Sequence, residues 1–509
     1  MIERDGTRIS IWQDGIPPYT TMNLPEQTHY DVAIIGGGIT GIATAWKLQQ
    51  AGKRCLLLEA ETLCFGTTSG TTAHLNTLLD TPYTTISSHF SEATAQLVAK
   101  ATRQAIDDVR HAVTKLHIDC GFTDSDAFLF SELPEQTPGF EAVVQAARNA
   151  GLAIAPETGN PLPIPFDRIV RIGGQARFHP VRYCYTLAKA FEAIGGVIVQ
   201  HCRVTAVKEE TPVSVETSRL NGFTADAVVI ATHIPTGVNL LHLRCTPYRS
   251  YAMALVLKDP AQYPAALVYD SHDPYRYYRT QEAGGQVFLI AGGEDHKTGH
   301  EAHTDGCFDR LEAYVRRYFD VREVAYKWSS QYYESADGLP YIGHLPGHGS
   351  NLLVATGFGG NGMVYSHVSA HCLSELLFGR EHPYPFFDPN RIKPIAGFRN
   401  FLHQNIDVAK QLLSRLIPPE KLTVLSELAH GEARVLRVTD ETIALYKDEH
   451  GAVHAVDPVC THLHCEVSWN EVERSWDCPC HGARFSVEGK VLNAPADRNL
   501  QQVRLDNAG

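Results

Sequence analysis

The sequence predicts a mixed α/β (α+β) chain that closes with a small all-β domain. Three observations carry this expectation. A strand-like run, a glycine-rich loop, a helix-like stretch and a second strand succeed one another from Asp31 to Glu59. Helix-like and strand-like segments then follow to about residue 380. After a Pro-rich stretch the pattern turns, from about Leu422, to short strands that carry two Cys/His loops. At 509 residues, two or more domains are expected. Apolar residues make up 44% of the chain, enough for real cores. The net charge of −13 argues against a nucleic-acid partner, which rewards a basic face.

Residues 1–28 are rich in Pro and Thr and read as an arm, with Ile11-Trp12 as an anchor. The first unit follows. Asp31-Val32-Ala33-Ile34-Ile35 is a continuous apolar run, as a buried parallel strand requires. Gly36-Gly37-Gly38-Ile39-Thr40-Gly41 leads into a helix that runs to Gln50, and Lys53 to Leu58 forms the next strand, ending at Glu59. In this context Gly36 allows the tight turn, Gly38 lets backbone approach a pyrophosphate, and Gly41 permits close helix–strand packing. The helix N-terminus stabilises phosphate charge, and Glu59 can accept from a ribose hydroxyl. The unit reads as a dinucleotide site, FAD or NAD; the alternative is a tight turn in an ordinary α/β protein.

The following segment contains Thr67, Thr68 and Ser69 between glycines, small hydroxyl residues that let backbone lie against a ligand. An NAD domain continues instead into its next regular unit. Phe178-His179-Pro180 opens a helix from Tyr183 to Ile194, and Val197–Val199 and Val204–Val207 read as strands. Ala225 to Thr232 is a buried strand, Gly338 lies in the tight turn Asp337 to Gly343, and Asn351 to Thr356 is another strand. Gly357-Phe358-Gly359-Gly360-Asn361-Gly362-Met363 then meets a helix that ends near Phe378. It spells a second G-x-G-x-x-G, but Pro383 and Pro385 follow where a strand ending in an acid is needed, so the unit is incomplete.

These segments resemble the FAD-dependent oxidoreductases of the D-amino-acid oxidase group, which includes glycine and sarcosine oxidases. The resemblance implies a Rossmann-like FAD-binding domain over about 29–84, 170–244 and 325–380, interleaved with a substrate-binding domain over about 85–169 and 245–324. It also implies FAD contacts at Gly36, Gly38, Gly41, Glu59, Thr67, Thr68, Ser69, Val204 and Gly338, and at Gly357, Gly359, Gly360, Asn361, Gly362 and Met363 beside the isoalloxazine. Residues 85–150 read as helical. In Tyr248-Arg249-Ser250-Tyr251 and Tyr275-Arg276-Tyr277-Tyr278-Arg279, strand alternation puts Tyr277 and Arg279 on one face. Arg249, Tyr251, Tyr277 and Arg279 are therefore candidates to meet a carboxylate substrate. A half-exposed sheet with surface arginines is the plain alternative.

Residues 381–420 read as a linker with a helix over Phe401 to Ile417, and 421–509 as the all-β domain. There, Cys460-Thr461-His462 is followed after fifteen residues by Cys478-Pro479-Cys480-His481. Two thiolates and two imidazoles suit a [2Fe–2S] centre of Rieske type, and zinc is the rival. Each loop offers one Cys and one His, unlike the usual zinc grouping, and Cys465 and Cys480 occupy matching places in the two loops. The motifs C-T-H-L-x-C and C-P-C-H-G resemble the Rieske proteins of respiratory and photosynthetic electron-transfer chains. The resemblance implies Cys460, His462, Cys478 and His481 as ligands and Cys465–Cys480 as a disulfide. Asn493-Ala494-Pro495-Ala496 resembles that family's Pro loop. Two departures are Ala483 and Phe485, where the family often carries hydroxyls that donate hydrogen bonds. Fewer donors place the expected potential at roughly −150 to +50 mV. His464 stands where the family often has Gly and reads as a solvent-facing loop residue.

An FAD and a Rieske [2Fe–2S] cluster in one chain make a two-to-one electron converter. The expected activity is that of an amine or amino-acid dehydrogenase acting on a CH–NH bond. Its partners would be a small amine or amino acid and a one-electron acceptor protein or quinone. The alternatives are a flavin reductase fed by the cluster, or a non-enzymatic redox carrier or sensor lacking a substrate cavity. No apolar run approaches a membrane span and no secretory signal opens the chain, so the cytoplasm is the expected compartment. The remaining cysteines, such as Cys55, Cys202 and Cys307, have no ligand spacing and read as buried thiols.

Overall fold

A computed structural model describes residues 2–391, 428–438 and 441–503. The expected helix over Phe401 to Ile417 and most of the linker lie outside the described residues.

The apolar run near the N-terminus forms the strand His29–Ile35, and the fingerprint helix spans Ile39–Gln50. The strand is the centre of an eight-stranded sheet. It pairs in parallel with Phe223–Ile230 on one side and Cys55–Leu58 on the other. Leu352–Thr356 and Val197–Val199 extend the parallel core, whose central residues are fully buried as two covered faces demand. The helices Pro180–Ala193 and Gly362–Leu377 pack beside the fingerprint helix. Gly41 is what lets the first turn of that helix approach the strand: a Cβ there would strike the carbonyl oxygen of Gly36.

A nine-stranded, mostly antiparallel sheet forms the second layer system. Its long strands are Cys245–Leu257, Gln286–Lys297 and Val321–Ser335. Two expectations are corrected here. The strand Thr123–Ser131 interrupts the helices expected over 85–150, because it completes this sheet by pairing with Arg168–Arg177. Arg168–Arg177 and Val321–Ser335 both belong to the second sheet, so they fall on its side of the expected divisions.

The C-terminal region has a three-stranded and a four-stranded antiparallel sheet, with the two Cys/His loops at their edge. It rests on the second sheet through a buried charge cluster. Arg249 of that sheet lies between Glu473 and Asp477 at 3.9 and 3.7 Å. Arg4 of the arm reaches Glu473 at 3.4 Å, and Arg484 reaches Asp5 and Asp477 at 3.2 and 3.1 Å. Three arginines and three acids thus join arm, sheet and C-terminal domain, each side chain at most 2% exposed. Burial raises Glu473, but Arg4, Arg249 and Arg484 overcome it and hold the carboxyl at about 2. The eight cysteines outside the two loops are all buried. No helix among the described residues is long and apolar enough to cross a membrane.

Candidate active site and cluster site

A cavity opens at the carboxyl ends of the parallel strands, where Ile35, Leu58, Ala231 and Ala355 reach its wall. This is where open α/β sheets bind ligands. Gly36, Gly38, Glu59, Thr67, Thr68 and Val204 line it, as do Gly359, Gly360, Asn361, Gly362 and Met363. Four of the expected FAD contacts do not reach its wall. Gly41 serves helix packing, and Ser69 is buried beneath the loop, its carbonyl accepting from Ser10 Oγ at 2.6 Å. Gly338 packs against Thr81, and Gly357 against Cys245 and Ser335.

The lining fits a dinucleotide. The fingerprint helix begins at Gly38 without a side-chain cap of its own, leaving backbone N–H groups at its start for an anion. Thr68 Oγ1 accepts the N–H of Ile39 at 3.1 Å and holds the hydroxyl loop against that helix start. Glu59 accepts from the N–H groups of Gly37 and Glu61 at 2.6 and 2.9 Å, which fixes its carboxylate at the cavity edge.

The substrate candidates separate. Tyr277 lines the cavity. Arg249 points away into the charge cluster, and Tyr251 donates to or accepts from His296 at 2.9 Å on the same side of the strand. Their even-numbered neighbours Ser250 and Ala252 face the cavity instead. Arg279 is fully buried below it, giving its guanidinium to the carbonyls of Thr72 and Ala73 at 3.0 and 2.7 Å. The expected carboxylate-binding arginines are therefore absent from the wall. Sequence reasoning missed Asp80 and Asp295, which do line it. They are isolated in sequence and only the fold brings them together.

Leu492, Asn493 and Ala494, from the C-terminal domain, also line this cavity. The same loop is tied to the second sheet: Tyr333 Oη donates to the carbonyls of Ala494 and His481 at 3.2 Å. Gln331 Nε2 donates to Gly482 at 2.8 Å. A Cβ on Gly482 would meet Pro247 at 2.6 Å, so the glycine of the C-P-C-H-G motif is also a docking residue.

In the two loops, Cys460, His462, Cys478 and His481 are buried. The imidazole centroids of His462 and His481 lie 5.0 Å apart. The thiols of Cys460 and Cys478 interact directly, which lowers the first and raises the second. Cys465 and Cys480 form a disulfide. The sulfurs of Cys465, Cys478 and Cys480 fall within 4.8 Å of one another, but a sulfur in a disulfide is not a thiolate donor, and the free thiols of the two loops are Cys460 and Cys478.

His462 Nε2 lies 3.0 Å from Nδ1 of His242, whose own Nε2 lies 2.8 Å from the carbonyl of Pro235. Because a carbonyl only accepts, His242 carries its proton on Nε2 and accepts at Nδ1. His462 then donates from Nε2, so its Nδ1 bears the lone pair. That Nδ1 is buried without a hydrogen-bond partner, and so are both Nδ1 and Nε2 of His481. Burial first, then neighbouring imidazoles, lowers both to about 4, so both are neutral donors near pH 7. Two buried thiols and two unpartnered Nδ1 atoms fit a cluster with mixed ligation. His464 is exposed at φ 61°, the left-handed region that glycine tolerates best, which accounts for Gly at the matching place in related loops.

Residues 31–376 match the family described as "FAD dependent oxidoreductase" (DAO), and residues 420–504 match the Rieske [2Fe-2S] domain. The chain belongs to the DAO family of FAD-dependent oxidoreductases and carries a C-terminal Rieske domain. Its cofactors are FAD and a Rieske [2Fe–2S] cluster. A putative Rieske 2Fe-2S iron-sulfur protein, YhfW of Bacillus subtilis, is 32% identical over 487 residues, 95% of each chain. Gamma-glutamylputrescine oxidoreductase of Escherichia coli is 22% identical over 75% of this chain and 91% of its own. Glycine oxidase from Geobacillus kaustophilus superposes with a TM-score of 0.60 at 19% identity, covering 72% of this chain and all of that one, a likeness of fold.

Proposed function

We propose that this FAD-dependent oxidoreductase is an amine or amino-acid dehydrogenase whose electrons leave through its own Rieske cluster to a one-electron acceptor, a protein or a quinone. The observation that carries the reading is the shared wall: residues 492–494 beside the cluster loops line the same cavity as Gly38 and Gly360. A cavity that extends past the fingerprint loops to Tyr275, Tyr277 and Asp295 also favours an enzyme over a redox carrier or sensor.

When bound, FAD supplies a hydride acceptor and the [2Fe–2S] core a one-electron carrier. The substrate ammonium first gives a proton to solvent, freeing the nitrogen lone pair; the C–H bond next to nitrogen then breaks with its electron pair, the lone pair forms C=N, and an N–H proton passes to solvent. Water then splits the imine to a carbonyl compound and an amine. Two equivalents of the acceptor take the electron pair, one electron each, and the proton that left with that pair passes to solvent. The chain's residues orient and enclose. Asn361 Oδ1 accepts the N–H of Asp80 at 2.8 Å and Asp80 accepts the N–H of Gly360 at 2.6 Å, fixing the glycine loop over the cavity. Tyr333 and Gln331 hold the loop around Gly482 against the sheet that forms the cavity wall. Cys460, His462, Cys478 and His481 would hold the cluster, with His242 fixing the tautomer of His462.

An anaerobic screen of amines and amino acids tests the reading. Bleaching of the yellow absorbance by a member of either class supports it. Failure of every compound to bleach a holoprotein that dithionite does bleach contradicts it.

A further inference from the structure

We infer that the substrate end of the cavity is a cation cage built by Asp80, Asp295 and four tyrosines, and that the substrate presents an ammonium group without a carboxylate beside it. The inference rests on the amine-oxidising reading above and narrows its substrate class.

The cavity wall away from the fingerprint is formed by Tyr269, Tyr275, Tyr277 and Tyr332 together with the two acids. Tyr275 and Tyr277 have ring centroids 5.7 Å apart, and His74 stands edge-on to Tyr269 and Tyr277 at 5.4 and 5.7 Å. The hydroxyls are occupied by hydrogen bonds. Tyr275 donates to Asp80 at 3.0 Å, Tyr332 donates to Asp295 at 2.9 Å, Tyr277 pairs with Ser250 at 2.9 Å, and Tyr269 takes Asn76 at 3.1 Å. With their polar ends anchored, the rings are left as faces and edges for a ligand. Aromatic faces around a desolvated site attract ammonium ions.

The acids make the same demand independently. Asp295 uses Oδ2 for Tyr332, while its Oδ1 is buried with no hydrogen-bond partner. Burial first, then the charge of Asp80, pushes Asp295 up to about 7. Glu334, close behind, is pushed to about 7 by burial and by the same two acids, against the opposing charge of Lys297. Such crowding leaves the wall short of positive charge. Among the described lining residues the only arginine or lysine is Arg203, which pairs with Glu61 at 3.4 Å in the part of the cavity around Glu59. His74 is held neutral: burial, then Arg279 and Arg177, lowers it well below the usual imidazole range. A carboxylate here would face two carboxyls and no guanidinium, since Arg249 and Arg279 are turned away. An ammonium ion meets the two carboxyls and the aromatic rings.

The test is equilibrium binding to the FAD-loaded protein, read as perturbation of the flavin spectrum. The probes are benzyltrimethylammonium, which cannot be dehydrogenated to an imine, and benzoate. The expected result is saturable binding of the ammonium probe, no response to benzoate, and binding weakened roughly tenfold or more in Asp295→Asn and in Tyr277→Leu. Each variant is used only if it retains bound FAD, and either one suffices. Benzoate binding, no response to the ammonium probe, or unchanged binding in the variants overturns the cage. Bleaching by amino acids with no ammonium binding removes the cage and leaves the amine-oxidising reading standing. Ammonium binding with no bleaching by any compound does the reverse.

Discussion

Nε2 of His462, in the first cluster loop, is hydrogen-bonded to Nδ1 of His242, a residue of the oxidoreductase domain 220 positions earlier. The outer edge of an imidazole proposed to hold the cluster is thus held by the flavin-binding part of the chain, and the Rieske domain is seated on it in a defined register. Tyr333, Gln331 and Pro247 meet the second loop in the same seat.

Replacing His242 tests that contact. His242→Ala removes the acceptor that orients His462 and raises its basicity. The expected outcome is cluster binding weakened about 10–100-fold, as for other outer partners of metal-bound histidines. Iron and sulfide content per FAD measures it, and a shifted rhombic paramagnetic signal of the reduced cluster accompanies it. Unchanged cluster content and signal would show the contact to be incidental.

The cluster loops carry Ala483 and Phe485, both fully buried. With fewer hydroxyl donors, the reduced and more negative state is less stabilised. A redox titration is expected to give roughly −150 to +50 mV, and Ala483→Ser with Phe485→Tyr is expected to raise it. A wild-type value near the top of the Rieske range contradicts this.

Glu473 anchors the charge cluster beneath the Rieske domain. Its folded value of about 2 lies below the ordinary 4.5, so its stabilisation is complete above about 4.5 and lost as the pH falls toward 2. The difference corresponds to about 3 kcal/mol. Glu473→Gln leaves Arg4 and Arg249 short of a partner and is expected to cost about 3–5 kcal/mol at pH 7. Urea unfolding of the two forms at pH 7 and pH 3 measures both effects; the gap between them should shrink at the lower pH.

Much of this was legible in sequence where a function imposes spacing along the chain. The cluster loops and the fingerprint are local, and a run such as Asp31 to Ile35 announces a strand covered on both faces. Arg249 and Tyr251 show the limit. Alternation puts them on one face and Ser250 and Ala252 on the other, but which face meets the cavity depends on what packs behind the sheet. Here that is the Rieske domain, which uses Arg249 for docking. His242, Arg4 and Asp5 gave no signal because their partners lie more than two hundred residues away. Asp80 and Asp295 likewise acquire meaning only when the strand Gln286–Lys297 and the loop after Leu75 meet at one wall.

The most direct measurement is rapid mixing of the oxidised holoprotein with a bleaching amine under anaerobic conditions, freeze-quenched and followed by absorption and paramagnetic resonance. The expected result is loss of the yellow absorbance followed, in the same molecules, by the rhombic signal of an imidazole-ligated diiron core. Bleaching that leaves the core silent, when dithionite then elicits its signal, would contradict it.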